Sequence, residues 1–477
     1  MKKTNLKATI AVVMMCIGFV PILVMAQQPK IGNLRAYDQS GINVFEESKA
    51  DSVPFDGMKV RWGAGFTQQF QNLKHENPNA LSNGSGSYSD GTIGNKLKLI
   101  TSGFQTAQAN LFMDVQLADG IRLSVTSYLS AKHHNETWVK GGYIQFDKLP
   151  FKGKIWEDIM KITTIKVGHF EVDYGDEHYR RTDGGQALYN PFMEGNIMDE
   201  FATEIGGEVY VKKNGYFGMF GLTSGMIKGN IDSLNTTSTK DGEYQKSPSV
   251  LLKVGFDKKL SDDLRIRGSL SYYGNQSCGG NTLFGGDRTG SNYQFVMEQN
   301  SAAPSSATGA GTGLAFSGRF NPGFSKQINA FMLNGFLKYK GFELFGTAET
   351  SSGRAASVTT TRNAFQEAVD AVYRFGKTEN LFVGIRYNTV MAHLADNTSP
   401  IKDGTGKIIG YGTGAGKILY NGDVTINRTA IAAGWFLTKS VLLKAEYVNQ
   451  VYVDFPSADY RSSGKFYGYV VEAVVGF

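Results

Sequence analysis

Cysteine is nearly missing from this chain of 477 residues: there are two, Cys16 and Cys278. Two thiols cannot build a disulfide scaffold. Proline is also scarce, at 11 residues. Charge of one sign is lacking: 49 Lys and Arg stand against 43 Asp and Glu, a formal charge of +6. No run of six or more like charges occurs, so there is no nucleic-acid-binding tail, and nucleic acid is not an expected partner. Long apolar runs are missing beyond the N-terminus, and mean hydropathy is negative, which excludes a bundle of transmembrane helices. Abundance lies elsewhere. There are 58 glycines, well above the ordinary share, and aromatics make up 12 %, too many for a disordered chain.

The N-terminus reads as an export signal. Lys2, Lys3 and Lys7 precede an apolar stretch from Ala8 to Val24, followed by Met25, Ala26 and Gln27. A basic region, an apolar core and a small residue at the cut describe a cleaved signal peptide, residues 1–26. Pro21 and Ala26 argue against a retained membrane anchor. Cys16 lies in the middle of the core, not at the cut, so a lipoprotein is not expected. After cleavage Cys278 stands alone beside Gly279-Gly280, an incidental loop thiol.

Beyond the leader the period is two. Val60, Trp62, Ala64 and Phe66 alternate with Arg61, Gly63, Gly65 and Thr67. Ala109, Leu111, Met113, Val115 and Leu117 share one face, Asp119-Gly120 makes a tight turn, and Leu123, Val125 and Leu129 resume the pattern. This is a β-hairpin signature. Sixteen strands are expected, at 58–70, 105–117, 121–131, 138–147, 162–170, 204–213, 216–224, 250–258, 264–273, 328–339, 342–350, 364–375, 381–390, 424–436, 441–452 and 464–477. Most are near the length that crosses a bilayer when tilted. Short connections alternate with long ones, although 132–137 is brief and 148–161 long, with one helical turn expected at Ile155–Met160. A soluble sandwich has no need of such asymmetry, and no blade-length repeat points to a propeller. A transmembrane barrel needs it: a closed all-β antiparallel sheet, short periplasmic turns, long outer loops, apolar residues outward and polar residues inward. The expected organisation is a leader (1–26), a periplasmic N-terminal segment (27–57) and a barrel (58–477). Residues 31–45 read either as a periplasmic tail or as a strand packed in the lumen.

The last strand is the most specific segment. Tyr467, Tyr469, Val471, Ala473, Val475 and Phe477 share one face, with Gly468, Glu472 and Gly476 on the other. An apolar alternating strand with a terminal Phe resembles the closing strand of Gram-negative outer-membrane barrels. That resemblance implies that Tyr467, Tyr469, Val471 and Phe477 carry the signal read by the barrel-insertion machinery. A terminal aromatic also suits the interfacial girdle. The stretch Ile165-Lys166-Val167-Gly168-His169-Phe170, followed by an acidic and aromatic loop, is similar to the phosphate-selective porin-like family. The resemblance implies a porin in the cell outer membrane, in contact with outer-membrane lipid, and a homotrimer. It does not extend to the substrate, because no dense lysine or arginine ladder is present.

Sixteen strands are enough for an aqueous channel, and 27–57 is too short for a folded plug domain. The inward faces carry Arg61, Arg122, Lys166, Lys212, Arg265, Arg267, Arg374, Arg386, Arg428 and Lys444, with Asp114, Glu204, Glu208, Glu343, Asp370, Glu446 and Glu472. Such groups are costly against lipid and acceptable against lumen water. They are the candidate pore wall, and most are expected to form ion pairs along it. The connection 171–203 follows the fifth strand, where porins of this size often fold a loop inward to narrow the channel. It holds Glu171, Asp173, Asp176, Glu177, Asp183, Glu194, Asp199 and Glu200 against Arg180, Arg181 and His178. As a constriction it would focus field and favour cations mildly.

Other motifs carry no chemistry. His133-His134 lack a third ligand, so no metal is expected. Gly309–Gly313 and Gly412–Gly416 open no helix and bind no phosphate. No GxSxG occurs, and Ser127 and His169 fall on expected strands with nothing to show that they meet, so neither an enzyme nor a cofactor is expected. Three functions fit: a passive diffusion channel for ions and small hydrophilic solutes; a substrate-biased channel, for example for a phosphate-type anion; or a plugged barrel that displays loops 274–327 and 391–423 for adhesion or assembly. A lumen filled by 31–45 and 171–203 would favour the third.

Overall fold

The structure, a computed structural model, describes residues 28–477 except 48, 50–52, 79–96, 131–136, 226–245, 279, 288, 299–316, 396–399, 403–404, 406–407, 412–421 and 457–458. The leader, His133-His134 and both glycine-rich loops lie outside the described residues.

Sixteen antiparallel strands form one sheet that closes on itself. They are β1 (Lys59–Glu76), β2 (Gln108–Ala118), β3 (Ile121–Ser130), β4 (Thr137–Phe146), β5 (Thr163–Glu171), β6 (Thr203–Lys213), β7 (Tyr216–Thr223) and β8 (Ser249–Lys259). Then come β9 (Leu264–Asn275), β10 (Gln327–Tyr339), β11 (Phe342–Arg354), β12 (Arg362–Phe375), β13 (Leu381–His393), β14 (Asp423–Thr438), β15 (Val441–Val453) and β16 (Lys465–Gly476). Each coincides with one expected strand. A two-residue piece, Gly103–Phe104, pairs with β1 ahead of β2. Closure is made by β16 on β1, from Gly65 opposite Gly476 to Glu76 opposite Lys465. Phe477 exchanges both backbone hydrogen bonds with Ala64. The barrel sheet is left with no free edge strand, as lipid requires.

The outer surface follows from the alternation. Trp62, Leu333, Ile385, Trp435 and Tyr447 are each about half exposed and form part of the lipid-facing belt. Tyr469, Val471 and Phe477 belong to the same face. Tight connections lie at one rim, including Asn214-Gly215 and Lys340-Gly341, where Asn214 and Lys340 take positive φ. The long connection 147–162 is also at this rim and carries the short helix α1 (Lys154–Met160). A closed antiparallel barrel with an apolar outer belt is the architecture of outer-membrane proteins, and places this chain in the cell outer membrane.

The inside departs from the expectation of polar residues facing water. In the half nearest the long loops, Ile328, Ala330, Met332, Ala364, Val390, Ile426, Val448 and Val470 point inward and are buried. They pack with Met193, Ile197, Met198, Phe320 and Phe324 from two long connections. The apolar choice has a physical cause: these wall positions face protein, and burial of each Ile, Val or Met among them is worth about 1.5–3 kcal/mol.

Candidate functional site: the occupied lumen

Among the described residues three segments enter the barrel. The first is the N-terminal strap, 28–47. It is irregular, neither a free tail nor a strand, and crosses the tight-turn end of the lumen. Gln39 donates from its backbone to Lys439 O at 2.9 Å. The Asn43 side chain donates to Glu343 at 2.6 Å, Glu46 pairs with Arg267 at 2.5 Å, and Glu47 with Arg122 at 2.5 Å. Tyr37 stacks on Phe112 with centroids 4.0 Å apart and donates to Asp114 at 2.9 Å. The second segment, insert one, is residues 172–202. It leaves β5 and turns inward at Gly175, whose φ of 73° suits glycine, and a side chain there would collide with Met332. The third, insert two, comprises the described parts of 276–326.

Insert one is fastened by the wall cations that the sequence marks as pore-lining. Lys444 Nζ donates to the carbonyls of Ala187, Asn190 and Phe192 at 3.1, 3.1 and 2.9 Å, and pairs with Glu472 at 2.9 Å. Arg386 holds Asp370 through two bonds of 2.5 and 2.7 Å and donates to Glu194 O at 2.7 Å. Arg428 reaches Gly195 O at 2.9 Å and Gly318 O at 3.1 Å, joining both inserts. Charge-assisted bonds of this kind are the strong ones.

Most of the acids of 171–203 are paired with cations. Asp173 bonds to Lys253 at 2.7 Å, and Asp176 pairs with Lys253 at 2.9 Å and Arg267 at 2.8 Å. Lys140 contacts Asp183 and sits 2.7 Å from Asp287. Asp199 lies between Arg181 at 2.7 Å and Arg319 at 3.1 Å, and Arg319 also holds Glu194 at 2.7 Å. Arg180 pairs with Asp370 at 3.2 Å, Glu171 lies 3.8 Å from Arg181, and Glu177 is buried near Arg386 and Arg180. Burial pushes the His178 imidazole down to about 3, so it is neutral beside Asp173. Glu200 has a carboxylate, Glu349, for its neighbour. The loop therefore does not present a bare acidic ring, and the reason for expecting cation preference disappears with it.

The remaining wall residues divide. Arg374 pairs with Glu343 at 3.0 Å and Arg265 with Asp257 at 2.6 Å. Glu208 accepts from Asp173 N at 2.9 Å and from Tyr210 at 2.6 Å. Arg61 lies over the Tyr37 ring at 5.2 Å. Lys212 donates to Glu47 O at 2.6 Å. Lys166 sits 5.0 Å from the rings of both Tyr143 and Tyr210. Lys166, Tyr143 and Lys212, with Arg35 and Glu171, border a cavity of about 210 Å³ along β3–β6. A second cavity, about 650 Å³, opens at the tight-turn rim beside α1 and shares Asn33 and Asp147 with the first. A third, about 720 Å³, lies beneath β9–β13 at the same rim.

Five residues important to this packing escaped sequence reasoning. Lys253 is in phase with buried Leu251 and could have been found by alternation. Glu349 was likewise legible on its strand. Lys140 was not: it is the extra residue of a bulge, where Thr126 faces Gly141 and Ser127 faces Val139. Asp287 and Arg319 lie on insert two, which has no periodicity. Cys278 is also on that insert, buried, with its thiol 2.9 Å from Gly225 O.

No protein-family model and no curated protein matches the chain. Among solved structures, it is similar to OmpT, an outer-membrane protein of Vibrio cholerae, at 9 % identity and a TM-score of 0.45, over 89 % of this chain and 99 % of that one. It is similar to the anion-selective porin of Comamonas acidovorans at 9 % identity and 0.44, over 88 % and 100 %. The outer-membrane channel DcaP of Acinetobacter baumannii gives 10 % and 0.44, over 89 % and 99 %. At such identities a likeness speaks of the fold alone; the barrel and its location rest on the closed sheet and its belt.

Proposed function

We propose that this chain is a non-catalytic, porin-type outer-membrane channel for ions and small hydrophilic solutes, with a narrow and occluded path in place of a wide pore. The observation that carries this reading is the pair of cavities sharing Asn33 and Asp147. Together they form a polar recess from the tight-turn rim into the lumen, stopped by the ion cluster of Lys140, Asp183 and Asp287. Passage then requires the inserts to yield, and the solute must be small. Lys166, Lys212 and Arg35 border this recess with heads that meet rings and carbonyls, which favours anions over cations.

A second reading has its own observation. The apolar core inside the loop-side half of the barrel suits a permanent plug, in a barrel that displays its outer loops for adhesion or assembly. Single-channel recording of the refolded protein in a planar bilayer under a salt gradient separates the two. Small ohmic steps with an anion-side reversal potential support the channel. Silence from correctly folded barrels sinks it and leaves the plugged barrel.

A further inference from the structure

Glu200, near the end of insert one, faces Glu349, which points inward from β11. They are 4 % and 0 % exposed. The two carboxyl groups are neighbours, and Glu349 Oε2 is buried with no donor of its own among the described residues. Tyr174 donates to Glu349 at 2.7 Å, and Gln366 on β12 donates to Glu200 at 2.6 Å. Gln366 also holds the backbone N–H and carbonyl of Met198, at 2.8 and 3.0 Å. Among the described residues neither carboxyl has a cation within 4.0 Å. The other charged group in reach of Glu200 is Asp199, whose charge is taken up by Arg181 and Arg319.

Two carboxylate oxygens cannot bond without a proton between them, because an ionised carboxylate only accepts. In a dry site without a counter-ion, both cannot be ionised. We propose that Glu200 and Glu349 share a proton that latches the end of insert one to the wall, and that loss of this proton releases residues 196–201 from β11–β13. Burial among acids holds the Glu200 carboxyl well above the usual carboxylate range, so the latch is closed in acid and opens as pH rises. The neighbouring ties of Arg386 and Arg428 to Glu194 O and Gly195 O carry permanent charge and stay in place. Release is therefore local to the segment where Ile197 N bonds to Asn388 and Met198 N to Gln366. The latch stands on this geometry alone; only its consequence for current rests on the channel reading.

The test is hydrogen exchange of the full refolded chain in detergent micelles at pH 5 and pH 9, referenced to peptides of β15 to remove the intrinsic pH effect. The peptide spanning 196–201 should exchange about tenfold faster, relative to the reference, at the higher pH. In Glu349→Gln and in Glu200→Gln the introduced amide donates to the remaining carboxylate, so this pH response should vanish. The double variant Glu200→Gln/Glu349→Gln, with no titratable group in the pair, should be flat as well and covers the case in which a single variant fails to refold. Equal wild-type protection at both pH values, or an unchanged response in the variants that fold, overturns the latch. Recording current from the same samples keeps the two readings apart: release without current sinks the channel and spares the latch, and current without release does the reverse.

Discussion

Two sides of the same barrel treat inward charge in opposite ways. Along β10–β16, Arg374, Arg386, Arg428 and Lys444 are 3 % exposed or less, and the last three spend their charge on carbonyls of the inserts. Along β3–β6, Lys166, Lys212 and Tyr143 border a cavity. The difference begins in the sequence. β4 and β5 pair over five residues, from Gly142 opposite His169 to Phe146 opposite Ile165, and β4 carries the bulge at Lys140. Apart from the tie of Lys140 to Asp183 and Asp287, the inserts lean on the long strands and leave the short, bulged ones a gap. An inward cation is a pore-lining group only where nothing has packed onto it.

The largest effect that tests this contrast is on the packed side. Lys444→Met removes one ammonium and strands three carbonyls and Glu472, all in a dry site. Loss of one partner of such a group costs about 3–5 kcal/mol. The urea midpoint of the barrel refolded into lipid vesicles should fall accordingly. A change within about 0.5 kcal/mol, the usual effect of a surface site, would mean that the insert is not held by this residue and that the packed side is no more fixed than the open one.

How much of this was legible follows from the same residues. Strand positions were readable because period-two alternation and turn chemistry act locally: Trp62, Leu111 and Tyr469 declare their faces without reference to any partner. The inward direction of Arg386 was equally plain. Its destination was not, since Glu194 O is delivered by a segment with no period at all. Alternation gives the face and is silent about what occupies the space in front of it. One signal was available and weak: Ala330-Phe331-Met332-Leu333 is apolar on both faces, which a wall against water has no reason to be. Lys140 lay beyond reach, because a bulge shifts the phase without marking the sequence.

A smaller effect separates fixed charge from titratable charge within the inserts. Glu298, on insert two, accepts from Ser317 at 2.8 Å, and burial pushes its carboxyl up to about 7. Between its ordinary value and pH 7 the folded form binds more protons than the unfolded one, so stability falls as pH rises through that window. Below it there is no penalty; above it the penalty is constant at roughly 1–3 kcal/mol. Protection of residues 293–298 against exchange should therefore decline from pH 4.5 to pH 7, and Glu298→Gln should flatten the profile. A wild-type profile already flat would place Glu298 in contact with water.

The smallest effect on stability carries the most information about function. Lys166 has two tyrosine rings for company and no carboxylate within 4.0 Å among the described residues. Lys166→Met keeps most of the stem that packs between the rings. It should change the urea midpoint by less than about 0.5 kcal/mol. If ions pass along β3–β6, removing this charge moves the reversal potential toward cations, and Lys166→Glu moves it further in the same direction. Lys444→Met, on the packed side, should unfold the barrel more readily yet leave the reversal potential of the surviving channels where it was. The opposite result, selectivity that follows Lys444 and ignores Lys166, would put the conducting path through the inserts themselves. The apolar core around Met332 and Val390 would then have to open for every ion that crosses.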